Sequence, residues 1–457
     1  MRKSARLSLS MVGLAVSLAF STSAFSADAP NEFAFDSLTW NGITLYGTAD
    51  VGYTHQTRGL PYDDDNASGA AYLISKGAKD SFSGWSNNGL SQSAIGLKGD
   101  IPFNDDISGV FKLDIGFNPL SLQLADGPKS LISNGKTASL ARTANADSGR
   151  AGQVFNGAAF AGVNSKSWGL LTFGRQTGLL ADSVVKYDPN AGANAFSLLG
   201  GSVQGGGATQ NARLDNSLKY FKQFGAYRVG AQYQFSGHQY ALFESDGTSK
   251  SAMQLQLGAD YGGFSADLVY AQKHQAISAS AFSASYDVES LKGTAFDNTA
   301  VALMGSYKLG DAKLFGGFEE IVYKNPSSPM ANGSSYLGDY TLSVVDNAAY
   351  DNHKRLDVSW LGVKYAVNPR LDVAAAYYAY RQNSYNTTSC SDASNSKCSG
   401  AEDVYALTAV YKLVKHIDLY AGVTRSKVRN GLANGYVSLN GNSAETTSYM
   451  VGTRASF

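Results

Sequence analysis

Long apolar runs, charge, proline and cysteine are all scarce in this chain. Of its 457 residues 16% are charged, 9 are proline, 2 are cysteine and 5 are histidine, with Lys+Arg and Asp+Glu at 37 each. The charged share lies below the about 25% of ordinary soluble domains. A formal charge of zero lacks the basic surplus of a nucleic-acid binder, so no nucleic acid is expected as a partner. Two cysteines exclude a disulfide scaffold and most cysteine-based metal sites. The histidines (His55, His238, His274, His353 and His416) are far apart and show no HExxH spacing, so neither a metal nor a catalytic group is expected. The Gly-rich stretch at 200–207 lacks the Lys-Ser/Thr that a phosphate cradle requires, and no cofactor is expected.

Residues 1–26 read as a secretory signal peptide. Arg2, Lys3 and Arg6 precede an apolar stretch from Leu7 to Phe20, and Ala24-Phe25-Ser26 supplies small residues at the cleavage site. Beyond it no run of 18 apolar residues occurs, which excludes a later transmembrane helix. Residues 27–42 are expected to form an N-terminal periplasmic arm.

What is abundant is glycine, at 49, tyrosine, at 27, and strict alternation. Ile43, Leu45, Gly47, Ala49, Val51 and Tyr53 share one face of a strand, opposite Thr44, Tyr46, Thr48, Asp50 and Gly52. Tyr449, Val451, Thr453, Ala455 and Phe457 repeat the pattern at the C-terminus. A helix would scatter these residues around its axis. Seven brief turn signals (101–106, 164–167, 222–225, 261–263, 309–312, 367–370 and 413–416) alternate with eight long polar segments (55–89, 118–152, 177–212, 237–251, 274–296, 324–354, 382–402 and 428–446). Fifteen connections join sixteen strands of about ten residues, the length that spans a bilayer when tilted.

Long loops at one end and short turns at the other mark an outer-membrane barrel. Backbone groups in lipid must all be paired, so the sheet must close on itself, and sixteen strands leave an aqueous lumen. The expected fold is all-β: a 16-stranded antiparallel transmembrane β-barrel over 43–457. Aromatics near strand ends (Tyr220, Phe221, Phe224, Tyr261, Phe264, Tyr307, Phe315, Tyr323, Tyr365, Tyr411 and Tyr420) are expected in the two interfacial girdles.

The segments GITLYGTADVGY (42–53), GLSQSAIGLKG (89–99), FNGAAFAGV (155–163), LLTFGRQTG (170–178), RLDNSLKYF (213–221) and the terminal VGTRASF resemble the Gram-negative general porins, in order and spacing, from about residue 42 onward. The resemblance implies an outer-membrane homotrimer passing ions and small hydrophilic solutes by diffusion, among outer-membrane lipids and lipopolysaccharide. It also implies recognition of Phe457 by the outer-membrane assembly machinery, and a third external loop, 177–212, folded inward as a constriction. Of the family's basic wall ladder, three positions fall on Thr48, Ala94 and Gly157, and only Arg213 keeps its charge.

Phase along the strands and the loop makes Asp50, Lys98, Lys112, Asp114, Asp182, Asp188, Arg213, Asp215, Lys219 and Arg454 the candidate lumen charges, with Leu214 facing out. Arg175 shares the phase of Leu171 and Phe173 and faces inward only if its strand breaks. With three ladder positions neutral, ion selectivity is expected to be weak and tilted toward cations. Cys390 and Cys398 are expected to form a disulfide within one external loop. A substrate-selective channel for sugars or carboxylates is the alternative, and a barrel adhesin a more distant one.

Overall fold

The computed structural model describes residues 38–59, 79–122, 124, 154–201, 213–235, 251–280, 290–332, 335–337, 340–436, 439 and 441–457. The expected signal segment, most of the arm and the outer parts of several long loops lie outside the described residues. Sixteen antiparallel strands close into a barrel.

In chain order they are β1 (Ile43–Gly59), β2 (Asp80–Asn87, continuing as Ala94–Pro102), β3 (Ile107–Gly116), β4 (Ala158–Ser165), β5 (Gly169–Thr177), β6 (Arg213–Phe224), β7 (Tyr227–Gln234) and β8 (Ala252–Tyr261). The second half comprises β9 (Phe264–Ser280), β10 (Ser290–Leu309), β11 (Ala312–Lys324), β12 (Lys354–Asn368), β13 (Leu371–Gln382), β14 (Gly400–Val414), β15 (Ile417–Asn430) and β16 (Ser443–Ser456). Each strand pairs with its sequence neighbour, and β1 pairs with β16 from Thr48↔Ser456 to Gln56↔Ser448. The seam ends in reciprocal backbone bonds, Phe457 N to Gly47 O at 3.0 Å and Gly47 N to Phe457 O at 3.1 Å. Gly47 lies under the Phe457 ring, where a Cβ would come within 2.4 Å of a ring carbon.

All seven short turns fall where the sequence places them. Several long loops are shorter than the polar segments suggest, because strands run on past the lipid belt. The second and fourth are not, with 117–157 between β3 and β4 and 235–251 between β7 and β8. β9 and β10 continue until only 281–289 separates them, where 274–296 was expected. The first loop is also shorter than the expected 55–89: Asp80–Asn87, with three serines, forms the outer half of β2. A last piece of the arm is ordered, as Leu38–Trp40 pairs back onto β1. Asn41 and Gly42 both have positive φ (47° and 80°), the requirement of a two-residue hairpin turn.

The outward face is apolar along the belt: Leu257, Leu303, Leu361, Leu407 and Val451 are all exposed. In a detergent-free soluble protein this would be a defect; in lipid it is the contact surface. Four of the expected girdle aromatics differ: Phe221 and Phe315 share the inward phase of Lys219 and Lys313. Tyr323 and Tyr420 are buried inside the barrel, because each falls on the inward phase of its strand.

Outside the membrane, Cys390 and Cys398 are bridged, with sulfurs 2.01 Å apart. In the turn between β2 and β3, Asp106 accepts bonds from the Ser165 and Ser167 hydroxyls at 2.8 Å each. Those donors hold its carboxyl below the usual carboxylate range.

A loop of this size contributes about 2–3 kcal/mol through its closure. Cys390→Ser with Cys398→Ser is therefore expected to open the 383–399 loop to proteolysis while leaving the barrel resistant to it. Cleavage mapped by mass spectrometry checks this.

Candidate functional site

The third long loop lies inside the barrel. It begins with helix α1 (Leu179–Tyr187), whose first amides lack helical partners and find inward-facing glutamines instead. Leu179 N donates to Gln232 at 3.2 Å, and Leu180 N to Gln254 at 2.9 Å. Farther on, Ser183 donates to Asp267, the Trp360 indole donates to Tyr187 O at 2.9 Å, and Thr408 donates to Asn190 at 2.8 Å. Thr424 donates to Ala195 O at 2.8 Å, and Ala195 N donates to Gly89 O at 2.9 Å. These anchors follow the inner wall from β7 through β15 and return to β2.

Between loop and wall lies an apolar layer. Leu180, Val184, Tyr187, Phe196, Leu198 and Leu199 pack on Val269, Ala302, Ile321, Val358, Trp360 and Tyr378. Burying each large side chain contributes about 1.5–3 kcal/mol. The inner wall is thus apolar where the loop covers it, and that face defines where the loop sits.

Asp50 is inward but fully buried, so it is not a pore-lining charge. Its carboxylate accepts Leu90 N at 2.8 Å, Ser91 N at 2.9 Å and the Tyr420 hydroxyl at 2.6 Å. These bonds hold residues 88–93, where β2 leaves the wall with Asn88 at φ 57° and bends toward the loop. Asn194 of the loop reaches Asn88 O at 2.8 Å. Asp188 is likewise buried and closes a turn inside the loop, accepting Tyr378 OH at 2.6 Å and Gly192 N at 2.7 Å. It too is a staple rather than a constriction charge.

Arg213 and Asp215 leave the expected phase. Asn216 has φ 50°, and the β5–β6 register shifts between Gly174 and Gln176. The bulge turns Leu214 inward, buried against Ala252, and puts Arg213 and Asp215 on the opposite side. Asp215 pairs with Arg175 at 2.5 Å, and Arg175, seated in the bulge, also donates to Asn156 O at 2.8 Å. Lys219 is inward and buried, 2.5 Å from Asp182, which also accepts the Thr177 hydroxyl at 2.6 Å. This pair clips the start of α1 to the wall.

Lys98, Lys112 and Asp114 come together on β2 and β3. Both lysine Nζ atoms lie 5.6 Å from the Tyr46 ring centre, and Tyr46 donates to Asp114 at 2.8 Å. Lys112 is 3.7 Å from Asp114. Arg454 pairs with Asp418 at 2.6 Å. Further inward cations lie outside the sequence-derived set, among them Arg228, Lys313, Lys364 and Lys412; Arg228 donates to Asp267 at 2.7 Å and to the Tyr187 hydroxyl at 2.6 Å. Lys364 lies 3.4 Å from Asp372, while Lys98, Lys313 and Lys412 have no carboxylate partner among the described residues. Their strand phase is the signal in the sequence that could have found them. Below the loop, Lys364, Lys412, Arg454, Asp372 and Asp418 border a space open to solvent.

A hollow, closed barrel narrowed by its third loop has a counterpart in sequence. The profile of the Gram-negative porin family matches residues 13–431. The chain belongs to the Gram-negative porin family. An outer membrane porin protein of Bordetella pertussis is 23% identical over 376 residues, 75% of this porin and 89% of that one. Among solved structures, an anion-selective porin from Comamonas acidovorans superposes at TM-score 0.57 with 17% identity, covering 91% of this porin and 99% of the other. A trimer form of OmpT from Vibrio cholerae gives 0.53 at 15%, covering 91% and 99%. The porin is an outer-membrane protein, and its activity is passive diffusion through the water-filled lumen.

Lys219→Met would leave the partly buried Asp182 without its cation, at a cost of about 3–5 kcal/mol. Faster hydrogen exchange across 179–187, with the wall strands still protected, is the expected result.

Proposed function

We propose a general diffusion pore, acting as a homotrimer without enzymatic activity, that passes small hydrophilic solutes and favours anions modestly. The tilt is opposite to that expected from the sequence. It is supported by the state of the charges. The carboxylates Asp50 and Asp188 are buried behind hydrogen bonds, and Asp182 and Asp114 are paired. Lys98, Lys313 and Lys412 face the lumen without carboxylate partners among the described residues. The observation that carries the proposal is the pair of lysines over Tyr46, on a wall that the loop's anchors leave uncovered.

The trimer is supported by the family and by the trimer form described for the Vibrio cholerae relative. A substrate-selective channel is less well supported. Among the described residues, inward rings such as Tyr378 and Tyr420 are buried under the loop, where they are closed to a passing solute.

A cation about 8 Å from a permeating anion contributes about 0.5 kcal/mol in water-like surroundings, about twofold in relative permeability. In a salt gradient across a planar bilayer the reversal potential is expected on the anion side. Lys98→Gln, Lys313→Gln and Lys412→Gln together are expected to move it toward the cation side. Strong cation preference of the native protein would refute the proposed tilt, and saturation by one solute in liposome swelling would refute the general pore.

A further inference from the structure

The underside of the third loop forms a pocket with the wall of β12–β16. Two glycines let the loop come this close: a Cβ at Gly362 would lie 2.5 Å from Pro189, and one at Gly422 would lie 2.5 Å from Phe196. The ceiling is apolar. Pro189, Ala191, Ala193 and Phe196 of the loop form it, with Leu90 of the β2 bend and Val410 of β14 beside them. The polar side chains along the ceiling are engaged within the fold. Asn190 donates to Phe196 O at 2.9 Å and to the Tyr378 hydroxyl at 3.0 Å, and it accepts the Thr408 hydroxyl at 2.8 Å.

One polar group at the pocket is left over. Ser91 is 7% exposed, and its hydroxyl has no hydrogen-bond partner among the described residues, although its N–H is held by Asp50. A buried hydroxyl in that state costs free energy until a partner arrives. Below the ceiling the charges of the wall gather. Lys313 and Lys364 are direct cross-strand neighbours, as are Lys412 and Asp418, and Arg454 stands between Asp418 and Asp50. Asp372 engages Lys364, Asp418 engages Arg454, and Asp50 is sealed behind the Leu90 and Ser91 amides. Four cations against three carboxylates leave one positive charge, and Lys313 and Lys412 are the amines without an ion pair among the described residues. Farther along the wall, Lys186 and Arg228 are matched by Asp260 and Asp267.

We propose that this pocket binds a small aryl carboxylate, entering from the periplasmic side. The carboxylate accepts the Ser91 hydroxyl and lies in the field of Lys412, and the ring lies under Phe196, against Leu90 and Val410. Each half of the ligand answers one half of the site. An inorganic anion leaves the apolar ceiling wet, and a neutral apolar solute leaves Ser91 and Lys412 without a partner; a mostly apolar cavity with a few placed polar groups selects a molecule that has both. Access follows from position. Lys412 lies two residues from the end of β14, at the short-turn end of the barrel, so the pocket opens toward the periplasmic mouth. The proposal adds a resident ligand to the diffusion pore. It depends on the third loop lying inside the barrel and not on the pore's ion preference.

The probes are phenylpropionate, acetate and phenylpropanol. Binding is measured by isothermal titration of the intact porin in neutral detergent, and block by the fall in single-channel current across a planar bilayer. Phenylpropionate is expected to bind and to block at a concentration about tenfold below that of acetate, since burying part of the ring supplies that factor. Phenylpropanol, which lacks the charge, should do neither. Block should be stronger from one face of the bilayer, and equal block from both would overturn the periplasmic access. Lys412→Gln should raise the half-blocking concentration about fivefold, the effect of one nearby charge in water-like surroundings, and Ser91→Ala should raise it as well. Lys98→Gln, which removes a lumen cation from the uncovered wall, should leave it within about twofold, as expected for a separate site. Equal potency of acetate, block by phenylpropanol, or an unchanged half-blocking concentration in both Lys412→Gln and Ser91→Ala would overturn the proposal. Loss of block in Lys98→Gln would overturn it in favour of a general effect of lumen charge. A native protein that opens no channels would instead strike at the pore reading, and the titration would still decide the site.

Discussion

The structure depends on one constraint: in lipid, every backbone donor and acceptor needs a partner within the protein. A sheet with two free edges cannot meet it, so β1 and β16 must join, and the terminal Phe457–Gly47 bonds finish the seam. Closure fixes the number and tilt of strands and leaves a hollow too wide for side chains to fill. That hollow is what allows the third loop to enter and what leaves room for water beyond it.

Inside, the same alternation that presents lipid with apolar residues presents the lumen with polar ones, except where the loop lands. Where the loop lands on β9–β14 the inward phase is largely apolar, and α1 and its continuation cover it. The loop is thus held by two kinds of force. An apolar layer supplies affinity, while Gln232, Gln254, Trp360 and Thr408 supply register. Buried carboxylates belong to this framework. Asp50 and Asp188 each gather donors from several segments, and their charge is directed at the scaffold rather than at passing ions.

Among the described residues, Lys98, Lys313 and Lys412 face the lumen without a carboxylate partner. Lys98 and Lys112 lie over Tyr46 with only Asp114 nearby, and Lys412 stands beside the space beneath the loop. On the outer surface the barrel applies charge differently. Arginines and a lysine rise above the belt on β13 and β15, held by Asp403 and Glu445.

The sequence by itself determined the barrel. Period-two alternation and the regular exchange of short turns for long loops are local properties, and lipid converts them into a closed cylinder of sixteen strands. It also determined which loop enters and that Cys390 and Cys398 pair, since both follow from neighbours in the chain and from the family's motifs. Phase along the strands placed Lys98, Lys112 and Lys219 inward for the same reason. Only the tertiary structure decided how each charge is used. The bulge at Asn216 reversed the phase of Leu214 and Arg213, and six residues of β2 left the wall to meet Asp50. Tyr420, 370 residues from Asp50 along the chain, completes that contact. Such outcomes depend on contacts closed around the whole circumference, and no short stretch of sequence carries them.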